Sequence, residues 1–125
     1  MSHDHPILVV DDDEDIRDTI AMALDLMGYE AATAADGLEA LQLIAAGLRP
    51  SLVLLDMMMP KMDGESFLVA ARANPETASV PIVFLSGHHQ ANQRNSGAQA
   101  DACLVKPIEL EDLAEIVGKM VRAQA

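Results

Sequence analysis

The chain has 125 residues, half of them hydrophobic, and a formal net charge of −12. This length suits one hydrophobic core, and we expect a single domain over residues 1–125 with its core at about 7–121. No apolar run approaches the roughly 18 residues that a membrane-spanning helix needs, and the N-terminus lacks a signal-peptide pattern, so the sequence predicts a cytoplasmic protein without membrane contact.

The negative charge argues against direct binding of nucleic acid. A surface of this charge repels phosphate backbones, and no basic patch offsets it. The only aromatic residues are Tyr29, Phe67 and Phe84, which offer no platform for stacking bases. The single cysteine, Cys103, has no partner for an internal disulfide, as is usual in a reducing compartment. We therefore expect no direct contact between this chain and nucleic acid.

Short apolar runs alternate with helical patterns in the first half of the chain. Ile7–Val10 is a mainly β-branched run typical of a strand, and three consecutive aspartates follow it. A first helix ending at Gly28 is predicted by apolar residues at helical spacing: Ile16, Ile20, Leu24 and Met27. A weaker, alanine-rich strand is predicted at 29–34. A second helix, ending at Gly47, is predicted by the spacing of Leu38, Leu41 and Ile44.

The second half repeats this alternation. The run at 52–55 is wholly apolar, as expected for a strand covered on both faces. A loop then leads to a helix at about 65–73, a fourth strand at 81–85 and a fifth at Ala102–Val105. The last helix is predicted by the apolar residues Leu110, Leu113, Val117, Met120 and Val121. Residues 88–97 are polar and predict a short or frayed helix, or none.

Five strands that alternate with helices predict an α/β fold. The expected architecture is one doubly wound sheet of five parallel strands with helices on both faces. In such a sheet, ligands bind beyond the carboxyl ends of the strands, where the strand order reverses. If the order is 2-1-3-4-5, the first and third strands are neighbours at this point.

The candidate chemical residues follow four of the predicted strands. Asp11 and Asp12 end the first strand, Asp56 the third, Ser86 the fourth and Lys106 the fifth. Three converging carboxylates repel one another unless a cation neutralises them, and hard oxygen ligands suit Mg²⁺. With a lysine and a hydroxyl they form a set suited to phosphoryl transfer onto a carboxylate. An alternative role for the consecutive aspartates is a helix N-cap and first turn.

Three motifs fall at these strand ends: ILVVDD from Ile7, LLDMMMPKMDG from Leu54, and VKP from Val105. With these motifs and Ser86, the chain resembles a response-regulator receiver domain of two-component signalling, from Ile7 to about Val121. The resemblance implies a flavodoxin-like fold and phosphorylation by a histidine kinase or histidine phosphotransfer protein. It also implies control of an unknown downstream protein, with a weak homodimer as a further option.

The resemblance also implies a role for each site residue. Asp56 would be the phosphorylated aspartate, and Asp12, Asp56 and the backbone carbonyl of Met58 would bind Mg²⁺, with Asp11 acting mostly through water. Ser86 would be the switch hydroxyl, and Lys106 would contact the phosphoryl group. The Lys106–Pro107 peptide is expected to be cis. A receiver is a phospho-acceptor rather than an enzyme, with at most slow self-phosphorylation and self-dephosphorylation.

The sequence departs from the family pattern near the fifth strand. Cys103 stands where an aromatic switch residue is usual, and Ile108 stands where phenylalanine usually follows the Lys-Pro pair. The polar segment at 88–97 is slightly shorter than is typical. Because a thiol has no ring to turn, we expect any conformational signal to run through residues 87–97 instead.

Three other functions remain to be weighed. A flavin module on the same fold needs a phosphate-binding loop after the first strand, where the aspartates would repel phosphate. A hydrolase with an aspartyl-phosphate intermediate commonly has an acid two residues after the nucleophile, a position held here by Met58. A receiver-like module that binds partners without being phosphorylated is the third alternative.

Overall fold

A computed structural model describes residues 5–57, 62–86 and 101–122, with Ser86 and Arg122 described by their backbone alone. Five parallel strands form one sheet in the order β2-β1-β3-β4-β5, which confirms the predicted fold. The strands are β1 (Ile7–Val10), β2 (Ala31–Ala34), β3 (Leu52–Asp56), β4 (Ile82–Ser86) and β5 (Ala102–Val105). The helices in the described ranges are α1 (Glu14–Leu26), α2 (Gly37–Ala45), α3 (Gly64–Ala73) and α4 (Leu110–Arg122).

The sheet is buried on both faces, which explains why its central strands are continuously apolar. One face packs against α2 and α3, and its buried residues include Val53, Leu55 and Phe67. The opposite face packs against α1 and α4 through alternate strand residues such as Leu52 and Leu54. None of the helices in the part of the chain that the structure describes is long and apolar enough to cross a membrane.

Several elements differ from the sequence prediction near their ends. The second strand begins at Ala31 rather than at residue 29, because the Tyr29 amide donates to the Leu24 carbonyl (2.9 Å) beyond Gly28, whose φ is +93°. Leu38 and Leu110 are 43% and 60% exposed, although both belong to the apolar spacing that predicted their helices. Each lies in the first turn of its helix, where periodicity alone does not show which side the sheet covers.

Aspartate N-caps begin the first three helices. The Asp13 carboxylate accepts from the Asp15 amide (2.9 Å), and the carboxylates of Asp36 and Asp63 accept from amides three residues further on (both 2.8 Å). A cap of this kind satisfies amides that the first helical turn leaves unpaired. Each of these three caps therefore fixes the start of its helix at the carboxyl edge of the sheet.

The start of β5 is fixed by Asp101. Its Oδ2 accepts from the Ile82 amide (2.8 Å) and from Arg72 Nη2 on α3 (2.9 Å). The Asp101 amide in turn donates to the Ile82 carbonyl (2.8 Å). These bonds set the register of the edge strand against β4, and Lys106 directly follows that strand.

Candidate functional site

Three carboxylates meet at the carboxyl edge of the sheet. One oxygen from each of Asp11, Asp12 and Asp56 lies within 4.8 Å of the others. The register of β1 against β3 pairs Val10 with Leu55, so the next residue on each strand is an aspartate of the cluster. Asp11 is fully buried and Asp56 is 5% exposed, whereas Asp12 is exposed. The predicted convergence at the point of strand reversal is therefore present.

The three consecutive aspartates do not share one role. Asp13 alone is the N-cap of α1, while Asp11 and Asp12 belong to the carboxylate cluster. The Asp13 amide also donates to Asp11 Oδ1 (2.9 Å), so it holds one oxygen of the buried carboxylate. The N-cap considered from the sequence is thus present, but Asp13 alone forms it, and Asp11 and Asp12 lie in the carboxylate cluster.

Lys106 supplies the positive charge within this cluster. Its Nζ lies 3.1 Å from Asp11 Oδ2 and 3.3 Å from Asp56 Oδ1, and its side chain is 24% exposed. Burial by itself would lower the pKa of Lys106, but the charges of Asp56 and Asp11 outweigh this effect and raise it. The lysine is therefore protonated at neutral pH. The expected cis peptide between Lys106 and Pro107 is present.

The cluster has the donors that a hard divalent cation needs. One ammonium faces three carboxylates, so the positive charge of Lys106 does not balance them. The buried Asp11 Oδ2 makes no hydrogen bond to any residue that the structure describes, and its contact with Lys106 has the geometry of an ion pair. A buried carboxylate oxygen with spare capacity, beside two further carboxylates, fits Mg²⁺ chemically.

At Gly64 the chain returns to contact the end of β3. Its amide donates to the Met57 carbonyl (3.0 Å). A Cβ at this position would lie 2.9 Å from both the Asp56 backbone oxygen and Met57 Cα. Because such contacts are too short for a side chain, the loop can approach Asp56 this closely only with glycine there. The sequence predicted a loop before α3 but not this contact.

Several predicted features lie outside the described residues. Met58 and the segment 87–97 are among them, as is the side chain of Ser86. The backbone of Ser86 pairs with Val105 at the carboxyl end of β4, one strand away from Asp56. Cys103 is half-buried and packs against the cluster that covers the α2 and α3 face.

An apolar groove between α1 and α4 adjoins the site. It has a volume of about 790 Å³, and Lys106 and Pro107 form part of its wall. Three of its apolar side chains are well exposed: Met22, Leu26 and Leu110. Apolar surface is thus available immediately beside the charged cluster.

We expect Lys106→Met to destabilise the metal-free protein by about 2 kcal/mol or more, because it leaves Asp11 buried without its counter-ion. The partial exposure of Lys106 keeps the loss below the roughly 3–5 kcal/mol of a fully buried pair. Urea unfolding at neutral pH measures the effect, and Lys119→Met, at an exposed position on α4, controls for net charge.

A second substitution, Asp11→Asn in the Lys106→Met background, should recover most of the lost free energy of unfolding.

The ion pair should also make stability depend on pH. The pKa of Lys106 is raised above 10.5 in the folded state, so the stabilisation by this pair should persist from neutral pH to about that value and weaken above it. Equal stability of Lys106→Met and Lys119→Met would contradict the prediction.

Comparison with known proteins places this site in a family. The family model described as Response regulator receiver domain matches residues 7–118. The transcriptional regulatory protein PrrA of Mycobacterium bovis is 42% identical over 118 residues, which cover 93% of this chain and 49% of that protein. The regulator RpaA of Synechocystis is 34% identical over 118 residues, covering 93% and 48%. The chain thus spans about half the length of the curated relatives it matches.

A solved structure of the Vibrio cholerae chemotaxis protein CheY4 is also similar. It superposes with a TM-score of 0.82 at 32% identity and covers 93% of this chain and 98% of that one. The name of RpaA describes a DNA-binding transcriptional regulator, so the prediction that nucleic acid is not contacted finds no support among these relatives. The family match over most of the chain agrees with the fold and with the motifs at the strand ends. The chain therefore belongs to the response regulator receiver domain family.

Proposed function

We propose that this receiver accepts a phosphoryl group on Asp56 in a reaction that depends on Mg²⁺. The observation that carries the proposal is the position of the Asp56 carboxylate at the end of β3. It lies 3.3 Å from the Lys106 ammonium and within 4.8 Å of two further carboxylates. A nucleophile placed between a fixed cation and a metal-binding cluster is suited to transfer of an anionic group.

The donor would be a phosphohistidine of a histidine kinase or a histidine phosphotransfer protein. An Asp56 carboxylate oxygen attacks phosphorus, and a P–O bond forms while the P–N bond breaks. The electron pair of that bond stays on the imidazole nitrogen, which takes up a proton to become neutral imidazole. The product is an acyl phosphate on Asp56.

Lys106 and the acidic cluster make this attack electrostatically feasible. Lys106 would neutralise charge on a phosphoryl oxygen, since its raised pKa keeps it protonated. Asp11, Asp12 and Asp56 would hold Mg²⁺, together with the backbone carbonyl of Met58, and Ser86 would donate its hydroxyl to the phosphoryl group. The bound cation would offset the repulsion between the carboxylates and an anionic donor.

The alternatives fit the site less well. A flavin phosphate would meet the carboxylates of Asp11, Asp12 and Asp56, which disfavours a flavin module. A hydrolase with an aspartyl-phosphate intermediate commonly has an acid two residues after the nucleophile, and that position is held here by Met58. We therefore propose a signalling role with at most slow turnover. A partner-binding module that is never phosphorylated makes a different prediction, tested below.

The phosphodonor must bring its histidine within reach of Asp56. The apolar groove between α1 and α4 adjoins the site through Lys106, and the acidic side chains of Asp15 and Glu111 also line it. A donor helix with apolar residues and flanking basic ones would complement this surface.

Three further expectations from the sequence stay predictions: a single domain over residues 1–125, a cytoplasmic location and the option of a weak homodimer.

Incubation with acetyl phosphate and Mg²⁺ should add about 80 Da to the protein, the mass of one phosphoryl group on the nucleophile. Asp56→Asn should abolish this gain, and chelation of the divalent cation should prevent it in the parent. Intact mass spectrometry measures both results. Asp63→Asn, which alters an aspartate that caps α3 rather than one of the cluster, is the matched control and should still be modified.

A mass gain that survives in Asp56→Asn would show that another residue is the acceptor. No gain in the parent with either acetyl phosphate or phosphoramidate would favour the unphosphorylated binding module.

Removal of one clustered charge should stabilise the metal-free protein. We expect Asp12→Asn to raise the melting temperature in chelator, because Asp12 is exposed and its charge adds to the repulsion from Asp11 and Asp56. Millimolar Mg²⁺ should raise the melting temperature of the parent by mass action, and should do so less for Asp12→Asn. Differential scanning calorimetry measures both shifts. Identical parent curves with and without Mg²⁺ would contradict an assembled metal site.

A further inference from the structure

Arg17 reaches back from α1 to the backbone of the site. Its Nη1 donates to the carbonyl oxygen of Asp11 at 2.9 Å, and the side chain is half-buried. The contact joins residues six positions apart across the loop that follows β1. Arg17 does not belong to the carboxylate cluster, and the motifs at the strand ends do not include it.

The Asp11 carbonyl needs a partner because β1 has ended. The last ladder pair of β1 is at Val10, and the Asp11 amide still donates to the Ala34 carbonyl (3.2 Å). The Asp11 carbonyl instead accepts from the guanidinium of Arg17. A charge-assisted bond of this kind is stronger than a bond between neutral groups, so it holds the peptide plane at the strand end.

The Asp11 carboxylate extends from this held backbone, and its own oxygens make two further contacts. The backbone of Asp11 is held on one side by β2 and on the other by Arg17, and its Oδ1 accepts from the Asp13 amide (2.9 Å). With these bonds in place, the remaining oxygen, Oδ2, faces Lys106 at 3.1 Å. The orientation of the one fully buried carboxylate in the cluster thus rests on bonds to its own loop.

We propose that Arg17 is a positioning residue of the phosphorylation site, an inference that rests on the proposed function. It holds the end of β1 so that Asp11 Oδ2 is directed into the space between Lys106 and the other carboxylates. Outer residues that orient ligands commonly change metal affinity by about 10–100-fold when they are replaced. Arg17 acts through the backbone of Asp11 and does not itself contact the acceptor.

Charge and position predict opposite effects when Arg17 is neutralised. Removal of a positive charge near the cluster would by itself strengthen binding of a cation, since it removes a repulsion. Loss of the bond to the Asp11 carbonyl would weaken binding, because the carboxylate would no longer be held in place. The sign of the change in Mg²⁺ affinity therefore separates positioning from simple electrostatics.

The test compares Arg17→Gln with Arg49→Gln by titration calorimetry with Mg²⁺. Arg49 is a matched control because its Nη1 also donates to backbone carbonyls, of Ile44 (3.0 Å) and Leu48 (2.9 Å), and it lies outside the cluster. We expect the dissociation constant for Mg²⁺ to rise about fivefold or more in Arg17→Gln and less than about twofold in Arg49→Gln. Arg17→Lys, which keeps the charge and one donor, should fall between the parent and Arg17→Gln.

A second readout needs no metal. The amide of Asp13 donates to Asp11 Oδ1, so its ¹⁵N–¹H resonance should shift in metal-free Arg17→Gln and stay unchanged in Arg49→Gln. Equal or tighter Mg²⁺ binding by Arg17→Gln, with the parent binding normally, would overturn the positioning role and leave the proposed function intact. Failure of the parent to bind Mg²⁺ would instead count against the proposed function.

Discussion

The repulsion among three carboxylates at one edge of the sheet is the constraint on which the site depends. The parallel arrangement of β1 and β3 makes this crowding unavoidable, because both strands end in aspartate at the same edge. Lys106 reduces the repulsion by pairing with the two buried members, Asp11 and Asp56. One ammonium cannot balance three negative charges, which is why we propose that the cluster binds a cation. In this proposal, the imbalance that disfavours the metal-free site favours binding of Mg²⁺ and then of an anionic phosphoryl group.

The surrounding fold supplies the rigidity that such a charged cluster requires. Asp56 ends β3 and Asp11 directly follows β1, and both strands are buried on both faces, so the sheet fixes the point from which each of these two aspartates extends. Asp13 caps α1 and fixes the loop after β1, while Gly64 allows the loop after β3 to close against Asp56. Asp101 fixes the start of the edge strand that leads to Lys106. Charged groups are thus held mainly by hydrogen bonds from the neighbouring backbone.

Sequence patterns predicted the sheet and the convergence of its charged residues for a simple reason. The carboxyl ends of parallel strands share one edge, so residues that follow different strands must meet once the strand order is known. Asp11, Asp12, Asp56 and Lys106 were therefore predictable as a group. The roles of neighbouring aspartates were not, because Asp11, Asp12 and Asp13 are chemically identical and differ only in where their backbone points.

Contacts that depend on tertiary geometry could not be predicted. In the sequence, Gly64 looks like part of an ordinary loop, and nothing there indicates its approach to Asp56. The bond from Arg17 to the Asp11 carbonyl belongs to no recognised sequence motif. The exposure of Leu38 and Leu110 could not be predicted either, since periodicity indicates which residues share a helix face but not how far the sheet extends beneath it. The one hint in the sequence is a cation one helix turn beyond an acidic cap, which is the position of Arg17 relative to Asp13.

The central claim is that Asp56 is the acceptor within a site completed by Asp11, Asp12 and Lys106. A crystal structure with beryllofluoride and Mg²⁺ tests it most directly, because beryllium trifluoride imitates a phosphoryl group on a carboxylate. We predict beryllium bonded to an Asp56 carboxylate oxygen, with Lys106 Nζ in contact with a fluorine and the metal held by carboxylates of the cluster. Beryllofluoride bound to a different residue, or Mg²⁺ bound away from these carboxylates, would contradict the account.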